Sequence, residues 1–355
     1  MRVILETIFH LLSATKDLLL QPILPGSILL ALSHGPSQLR NAILETLAKH
    51  STITPHQFKS TLSVFLLLGA VRVGNGFLSR LAANNWQLRS PVPWNWSSEI
   101  AVVTGGCGGI GRVIVEGLAR RGITVVVLDI QDLPQELSQN KLVKYYQCDL
   151  TSAQAISEVA SAIRNQIGHP SILVNNAGLG SVHGILETSD EHLHKIFRIN
   201  LFCHWSATRE FLPTMIQRNK GHIVTVASMG SFVTVGTSVD YSATKAGALA
   251  FHEGLGNELR YIYKSPGVLT TVVHPNYVQT PMTSMNEYRF VRQGTMLRAE
   301  DVGNRVVKQI LSRQGGQLVL PDYLTLVTPA LRGWPTWLQD GLRDAISKPV
   351  IAGLA

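Results

Sequence analysis

From Glu99 onward, short runs rich in Val, Ile and Leu alternate with longer stretches of helical periodicity, and few folds satisfy that alternation. "IAVVTGG", "ITVVVLDI", "LVKYYQCDL", "SILVNNAG", "GHIVTVAS" and "GVLTTVVHP" read as six strands, the third least cleanly. "GRVIVEGLARRG", "AQAISEVASAIRNQIG", "DEHLHKIFRINLFCHWSATREFLPTMIQRN" and "YSATKAGALAFHEGLGNELRYI" read as the helices between them. Strands that are apolar at nearly every position must be buried on both faces, and alternating helices supply the cover. The pattern predicts an α/β fold with a doubly wound parallel sheet, whose ligands bind beyond the carboxyl ends of the strands.

The chain can build such a core. Of its 355 residues 45% are apolar and 15% charged, a balance that excludes a disordered chain. The net charge is +8. Residues 1–95 hold eight Lys or Arg against three acids, a balance of +5. No cluster of basic residues interleaves with aromatics, so no nucleic-acid partner is expected. Cys107, Cys148 and Cys203 are odd in number and widely spaced. That spacing predicts reduced thiols facing the cytosol rather than a disulfide framework or a zinc site.

Residues 1–95 differ in character from the rest. Their apolar stretches, "VILETIFHLL", "LLLQPILPGSILLAL" and "STLSVFLLLGAVRVGNGF", are broken by Pro, Gly and charge. None offers the roughly 20 unbroken apolar residues of a simple membrane-spanning helix. No basic segment with a small-residue cleavage site marks a secretory signal. Two readings stay open: a re-entrant or interfacial membrane element, and a soluble helical cap. The basic excess favours an anionic membrane surface, so a helical, membrane-associated extension is expected. "LAANNWQLRSPVPWNW", residues 81–96, reads as a linker. Its Trp86, Trp94 and Trp96 suit either a membrane interface or packing on the next domain. The expected division is 1–95 for the extension and 96–355 for the α/β domain.

"TGGCGGIG", Thr104 to Gly111, falls where the first strand meets the first helix. Gly105, Gly109 and Gly111 permit a tight turn and close approach of backbone to a pyrophosphate, and Ile110 lies among them. The helix N-terminus beyond offers free N–H groups to phosphate. In this strand–turn–helix context the glycines predict a dinucleotide site. Asp129 closes the second strand, 18 residues after Gly111. A carboxylate there accepts hydrogen bonds from ribose hydroxyls and repels a 2′-phosphate, which favours NAD over NADP.

Tyr241 and Lys245 of "YSATK" stand four residues apart, on one face of a helix. With "TGGCGGIG", "CDL", "NNAG", "IN" in a long helix and "VAS", they complete a series of motifs in a fixed order. In this the chain resembles the short-chain dehydrogenase/reductase family from about Ile100 to Pro281. The resemblance implies a Rossmann-type domain that moves hydride between a nicotinamide ring and a carbinol or carbonyl carbon. It implies Asp149 near the adenine and Asn176 bracing the sheet beside the cofactor. It implies a catalytic set of Asn200, Ser228, Tyr241 and Lys245, with Asn200 holding a water that relays protons to the lysine. Lys245 is implied also to hold the ribose.

The physics of the set is consistent with those roles. A free tyrosine titrates near 10, too high for an effective base at neutral pH. A cation about 4 Å away contributes up to roughly 4 kcal/mol at an effective dielectric of about 20. Lys245 is therefore expected to lower the phenol. Ser228, thirteen residues before Tyr241, is placed to hold the substrate oxygen against it.

"HPNYVQTPM" follows the sixth strand, with Asn276 where the family usually has Gly. Val278 and Thr280 match the family's contacts to the nicotinamide carboxamide. Asn tolerates φ > 0 better than most residues, so the turn is expected to survive. Residues near 281–300 read as a substrate lid, in which Met282, Met285, Tyr288 and Phe290 either line an apolar pocket or serve ordinary packing. His192 and His194 alternate on a helix and point apart, so they read as solvated surface and no metal site is expected. The apolar C-terminal stretch "LVLPDYLTLVTPALRGWPTWLQDGLRDAI" suits a second membrane contact or a dimer surface.

A membrane-associated extension on this domain is similar to the retinol and hydroxysteroid dehydrogenase branch. That branch acts on lipophilic alcohols at endoplasmic-reticulum or lipid-droplet surfaces, and the resemblance allows a homodimer. The expected function is an NAD-dependent oxidoreductase of a retinoid, steroid or long-chain alcohol. A soluble dehydrogenase of a secondary metabolite and a non-catalytic NAD-binding scaffold on a lipid surface remain the alternatives.

Overall fold

The computed structural model describes residues 20–88, 92–283, 296–325 and 327–352. The chain forms two compact units, divided between Ala82 and Ala83. In the first, helices α1 (Ile23–His34), α2 (Ser37–His50) and α3 (Pro55–Ala83) follow one another. Gly35 and Pro36 separate α1 from α2, since proline cannot continue a helix. The third apolar stretch therefore differs from its reading as short and broken. Glycines 69, 74 and 76 leave it one helix of 29 residues, long and apolar enough to cross a membrane. Val64, Leu67, Leu68, Val71 and Leu78 recur at helical spacing along α3, each at least half exposed.

The second unit carries a seven-stranded parallel sheet. Its strands are β1 (Ile100–Thr104), β2 (Thr124–Asp129), β3 (Val143–Gln147), β4 (Ile172–Asn175), β5 (Gly221–Val226), β6 (Val268–Pro275) and β9 (Gly316–Leu320). The spatial order is β3-β2-β1-β4-β5-β6-β9, and β7 (Val278–Gln279) pairs separately with β8 (Leu297–Arg298). The helices are α4 (Gly109–Ala119), α5 (Gln135–Ser138), α6 (Ala153–Gln166), α7 (Asp190–Phe197), α8 (Cys203–Gln217), α9 (Val239–Tyr261), α10 (Ala299–Leu311) and α11 (Thr336–Ala352).

Alternate residues of each strand serve opposite faces. Val103, Val127 and Val174 pack with Ile114 of α4 and Val306 of α10, while Val102, Val126 and Leu173 pack with Ile156 of α6 and Phe211 of α8. The chain reverses its winding at β1, so β1 and β4 open a crevice at their carboxyl ends. At the opposite ends Glu99 is buried, accepting from Lys220 Nζ and from Ser171 Oγ, each at 2.6 Å. Lys220 also lies 4.9 Å from the Trp94 ring, which stacks on Trp96 at 5.3 Å. Trp94 and Trp96 pack against the domain core, whereas Trp86 is 62% exposed.

Four histidines lie buried in this unit: His204 on α8, His222 on β5, His252 on α9 and His274 on β6. Burial lowers His204 and His252 to about 3, and His222 and His274 to about 4. His222 Nε2 meets Thr271 Oγ1 at 2.8 Å, but neither ring nitrogen of His204 has a partner. The cysteines are free and buried.

Candidate active site

The β1–α4 turn is built around its glycines. Gly105 and Gly109 adopt φ of +65° and +51°, where a side chain is strained, and a Cβ on Gly111 would lie 2.0 Å from the Gly105 carbonyl oxygen. Asn176, just past β4, donates through Nδ2 to the carbonyls of Thr104 and Gly105, each at 3.0 Å. It thereby braces the turn from the neighbouring strand. Gly108 caps α4 without a side-chain hydrogen bond, so the helix N-terminus opens toward the cavity.

Asp129, at the end of β2, accepts from the backbone N–H groups of Cys107 at 2.9 Å and Gln131 at 3.1 Å. Both bonds hold it at the cavity wall. Burial and the nearby carboxylate push the Cys107 thiol up to about 12, so it stays protonated. Asp149, beyond β3, accepts from Thr151 N–H at 2.9 Å and lines the same cavity. These residues fit a dinucleotide: a glycine cradle, a bare helix N-terminus and a carboxylate at the second strand's end.

The cavity has a volume of about 1250 Å³ and runs from this turn past Ser228, Tyr241 and Lys245. Ser228 lies two residues beyond β5, and its Oγ accepts from Gly230 N–H at 3.0 Å. Tyr241 and Lys245 sit in the first two turns of α9. The buried Lys245 Nζ donates to the Val226 carbonyl at 2.9 Å and lies 5.8 Å from the Tyr241 ring centre. Ser231 Oγ donates to the Lys245 carbonyl at 2.9 Å, tying the helix to the loop that carries Ser228.

The electrostatics correct one expectation. Lys245 does not lower the phenol; burial raises Tyr241 above its ordinary 10, and a hydrogen bond with Ser228 only partly opposes this. Burial also lowers Lys245 to about 8. Desolvation dominates the phenol's shift, and the ammonium, 5.8 Å from the ring centre, spends a hydrogen bond on the Val226 carbonyl.

Asn200 sits where the long helical region departs from α-geometry. Residues Arg198–Phe202 form a π-turn between α7 and α8, a feature that is frequent at functional sites. Asn200 Oδ1 accepts from Leu179 N–H at 2.7 Å, while Nδ2 donates to the Leu179 carbonyl at 2.9 Å and to Thr244 Oγ1 at 3.1 Å. Its amide is thus committed to protein partners. A Cβ on Gly178 would lie 3.4 Å from Asn200 Oδ1 and 3.5 Å from Lys245 Nζ, so the two side chains converge there.

Gly105, Gly109, Ile110, Asp129, Asp149, Asn176, Ser228, Tyr241, Lys245, Val278 and Thr280 all line the cavity. Gly111 and Asn200 stand behind its wall. Asn276 needs no left-handed backbone, because position 276 is not among the residues with φ > 0. Of the lid, Met282 lines the cavity, whereas Met285, Tyr288 and Phe290 lie outside the described residues.

Two parts of the site escaped the sequence reading. His192 is not fully solvated: its Nε2 lies 3.3 Å from Oδ2 of the buried Asp240, whose Oδ1 accepts from Tyr241 N–H at 2.7 Å. The signal was the acid directly before the tyrosine. Likewise the C-terminal stretch gives Leu324, Leu331, Leu342 and Ile346 to the cavity wall. The i, i+4 spacing of Leu342 and Ile346 on α11 was legible, but not the surface they meet.

A family model described as short chain dehydrogenase matches residues 99–289. Dehydrogenase RED2 of Cochliobolus heterostrophus is 38% identical over 199 residues, covering 56% of this chain and 74% of that protein. Retinol dehydrogenase 10 of Homo sapiens is 34% identical over 234 residues, 57% of this chain and 68% of that protein. Estradiol 17-beta-dehydrogenase 11 of Pongo abelii is 33% identical over 262 residues, 71% of this chain and 84% of that protein. Among solved structures, a short-chain dehydrogenase from Streptomyces avermitilis aligns with a TM-score of 0.59 at 24% identity, covering 69% of this chain and 98% of that one. The aldohexose dehydrogenase of Thermoplasma acidophilum aligns at 0.55 and 22%, covering 62% and 92%. At these identities the two structures speak for the fold alone.

Proposed function

Since the chain belongs to the short-chain dehydrogenase family, we propose that it interconverts a lipophilic alcohol and its ketone or aldehyde with NAD. One observation carries the reading: the Tyr241 phenol, the Ser228 hydroxyl and the Lys245 ammonium meet in a cavity continuous with the glycine turn. NAD supplies the hydride acceptor when bound. In oxidation Tyr241 takes the hydroxyl proton of the alcohol at its phenolic oxygen; in reduction it returns that proton to the carbonyl oxygen. Ser228 holds the substrate oxygen against the phenol. Lys245 keeps positive charge beside them and would hold the ribose of the bound cofactor. Asn200 acts as a positioning residue, fixing the Leu179 backbone and Thr244 behind the lysine.

The Asp129 carboxylate supports NAD over NADP, because a 2′-phosphate beside it meets like charge. The apolar far half of the cavity and the exposed apolar face of α3 support a substrate drawn from membrane. The names of two relatives, a retinol and an estradiol dehydrogenase, point the same way. We place the protein on a cytosol-facing membrane, of the endoplasmic reticulum or a lipid droplet.

The test is NADH formation by the detergent-solubilised full chain over retinoids, sterols, long-chain alcohols and small polar alcohols. Tyr241→Phe is expected to lower turnover at least 10³-fold while leaving NADH affinity within about twofold. Wild-type rates in that variant refute the acid/base role. Equal turnover of small polar alcohols refutes the lipophilic substrate. NADH binding without turnover of any alcohol supports a scaffold instead.

A further inference from the structure

The charged side chains that line the cavity are unevenly placed. Apart from Lys245 of α9, they are Asp129, Asp149, Glu191, Lys195 and Arg198, from the ends of β2 and β3 and from α7 with its π-turn. None comes from the loop after β5, 229–238, or from the C-terminal segment 324–346; those walls present Val233 and Val235 on one side and Leu331, Leu342 and Ile346 on the other. The C-terminal wall is also fixed in place. Arg332 Nη2 donates to the Ser231 carbonyl at 2.9 Å, and Gly236 N–H donates to Ser347 Oγ at 3.2 Å. Directly after the second anchor Thr237 holds φ at +69°, a costly conformation for a β-branched residue. Its carbonyl accepts from His183 N–H at 2.7 Å. Leu342 and Ile346 share the inner face of α11, while Trp337, Asp340, Asp344 and Lys348 are exposed.

We infer that α11 is the specificity-determining wall of the substrate half: the apolar tail of the alcohol lies between Val233 and Val235 and the Leu342–Ile346 face. The inference rests on the dehydrogenase reading above and adds the element that selects the substrate. A wall of this kind rewards each added methylene by about fourfold in kcat/KM, the equivalent of roughly 0.8 kcal/mol. It offers nothing to a polar tail, whose groups lose water without gaining partners.

The test measures kcat/KM of the full-length, solubilised enzyme at saturating NAD across unbranched 2-alkanols from four to twelve carbons. The wild type is expected to climb with length. Ile346→Trp and Leu342→Trp fill the space and should cost the longest alcohols at least tenfold, leaving the shortest within about twofold. Ile346→Ala, which cannot block, should extend the climb to longer chains. Trp337→Ala, on the outer face, should change nothing. A length profile identical in wild type and all three inner-face variants overturns the inference while leaving the dehydrogenase reading intact. If the wild type oxidises no alcohol, the dehydrogenase reading fails, and the wall is judged by binding of cis-parinaric acid, a fluorescent 18-carbon chain. Its Kd should rise at least tenfold in Ile346→Trp and not in Trp337→Ala; equal affinity in all forms overturns the wall.

Discussion

At the scale of single residues, the proposed function gives the site a base held in reserve. Tyr241 titrates above its ordinary value and Lys245 near 8, so at neutral pH the phenol is protonated and the ammonium charged. Only the ionised phenol can accept a proton, and its fraction grows as pH rises toward a raised pKa. The value of kcat/KM for oxidation, which reports the free enzyme, should therefore climb by up to about tenfold per pH step until Lys245 loses its charge near 8, and level off beyond it. Reduction uses the protonated form and should lose rate only toward the alkaline end. A flat oxidative profile from pH 7 upward contradicts the burial-dominated phenol. That Ser228, Tyr241 and Lys245 meet at one cavity was legible through the ordered motifs that carry the family resemblance. The direction of the tyrosine's shift was not, since desolvation depends on neighbours such as Val226 that are distant in sequence.

Single elements show the same division between pattern and context. The β-strands were readable because a sheet buried on both faces leaves almost no position for polar residues. The π-turn at Arg198–Phe202 was not, because one extra residue in a helical ladder leaves no periodic trace. The length of α3 was also missed: Arg72 and Asn75 interrupt its apolar run without breaking its helix. The proposed function puts its exposed apolar face in a membrane. The full chain should then sediment with membranes and resist high salt. Replacing Leu67, Leu68 and Val71 together with Asn should release most of it to the supernatant without altering NADH affinity. Equal sedimentation of wild type and triple variant removes α3 from that role.

At the scale of the whole molecule, reaction and support occupy opposite ends of one sheet. The carboxyl ends of the strands carry the cavity; the amino ends carry the Glu99–Lys220–Ser171 cluster and the stacked tryptophans. Running through the same unit are the four buried histidines, which folding holds neutral. Their folded pKa values lie below the unfolded value near 6.5, so the unfolded chain binds protons that the folded one refuses. Stability is complete above about pH 6.5 and declines as pH falls, by up to about 1.4 kcal/mol per pH step for each histidine. Thermal unfolding should show a steep acid limb below pH 6.5, and His204→Leu should flatten it by about a quarter. An unchanged limb would mean that His204 finds a way to charge inside the fold. The buried imidazoles thus give the molecule an acid boundary unrelated to its chemistry: the fold is fully supported at neutral pH and loses ground with each step into acid.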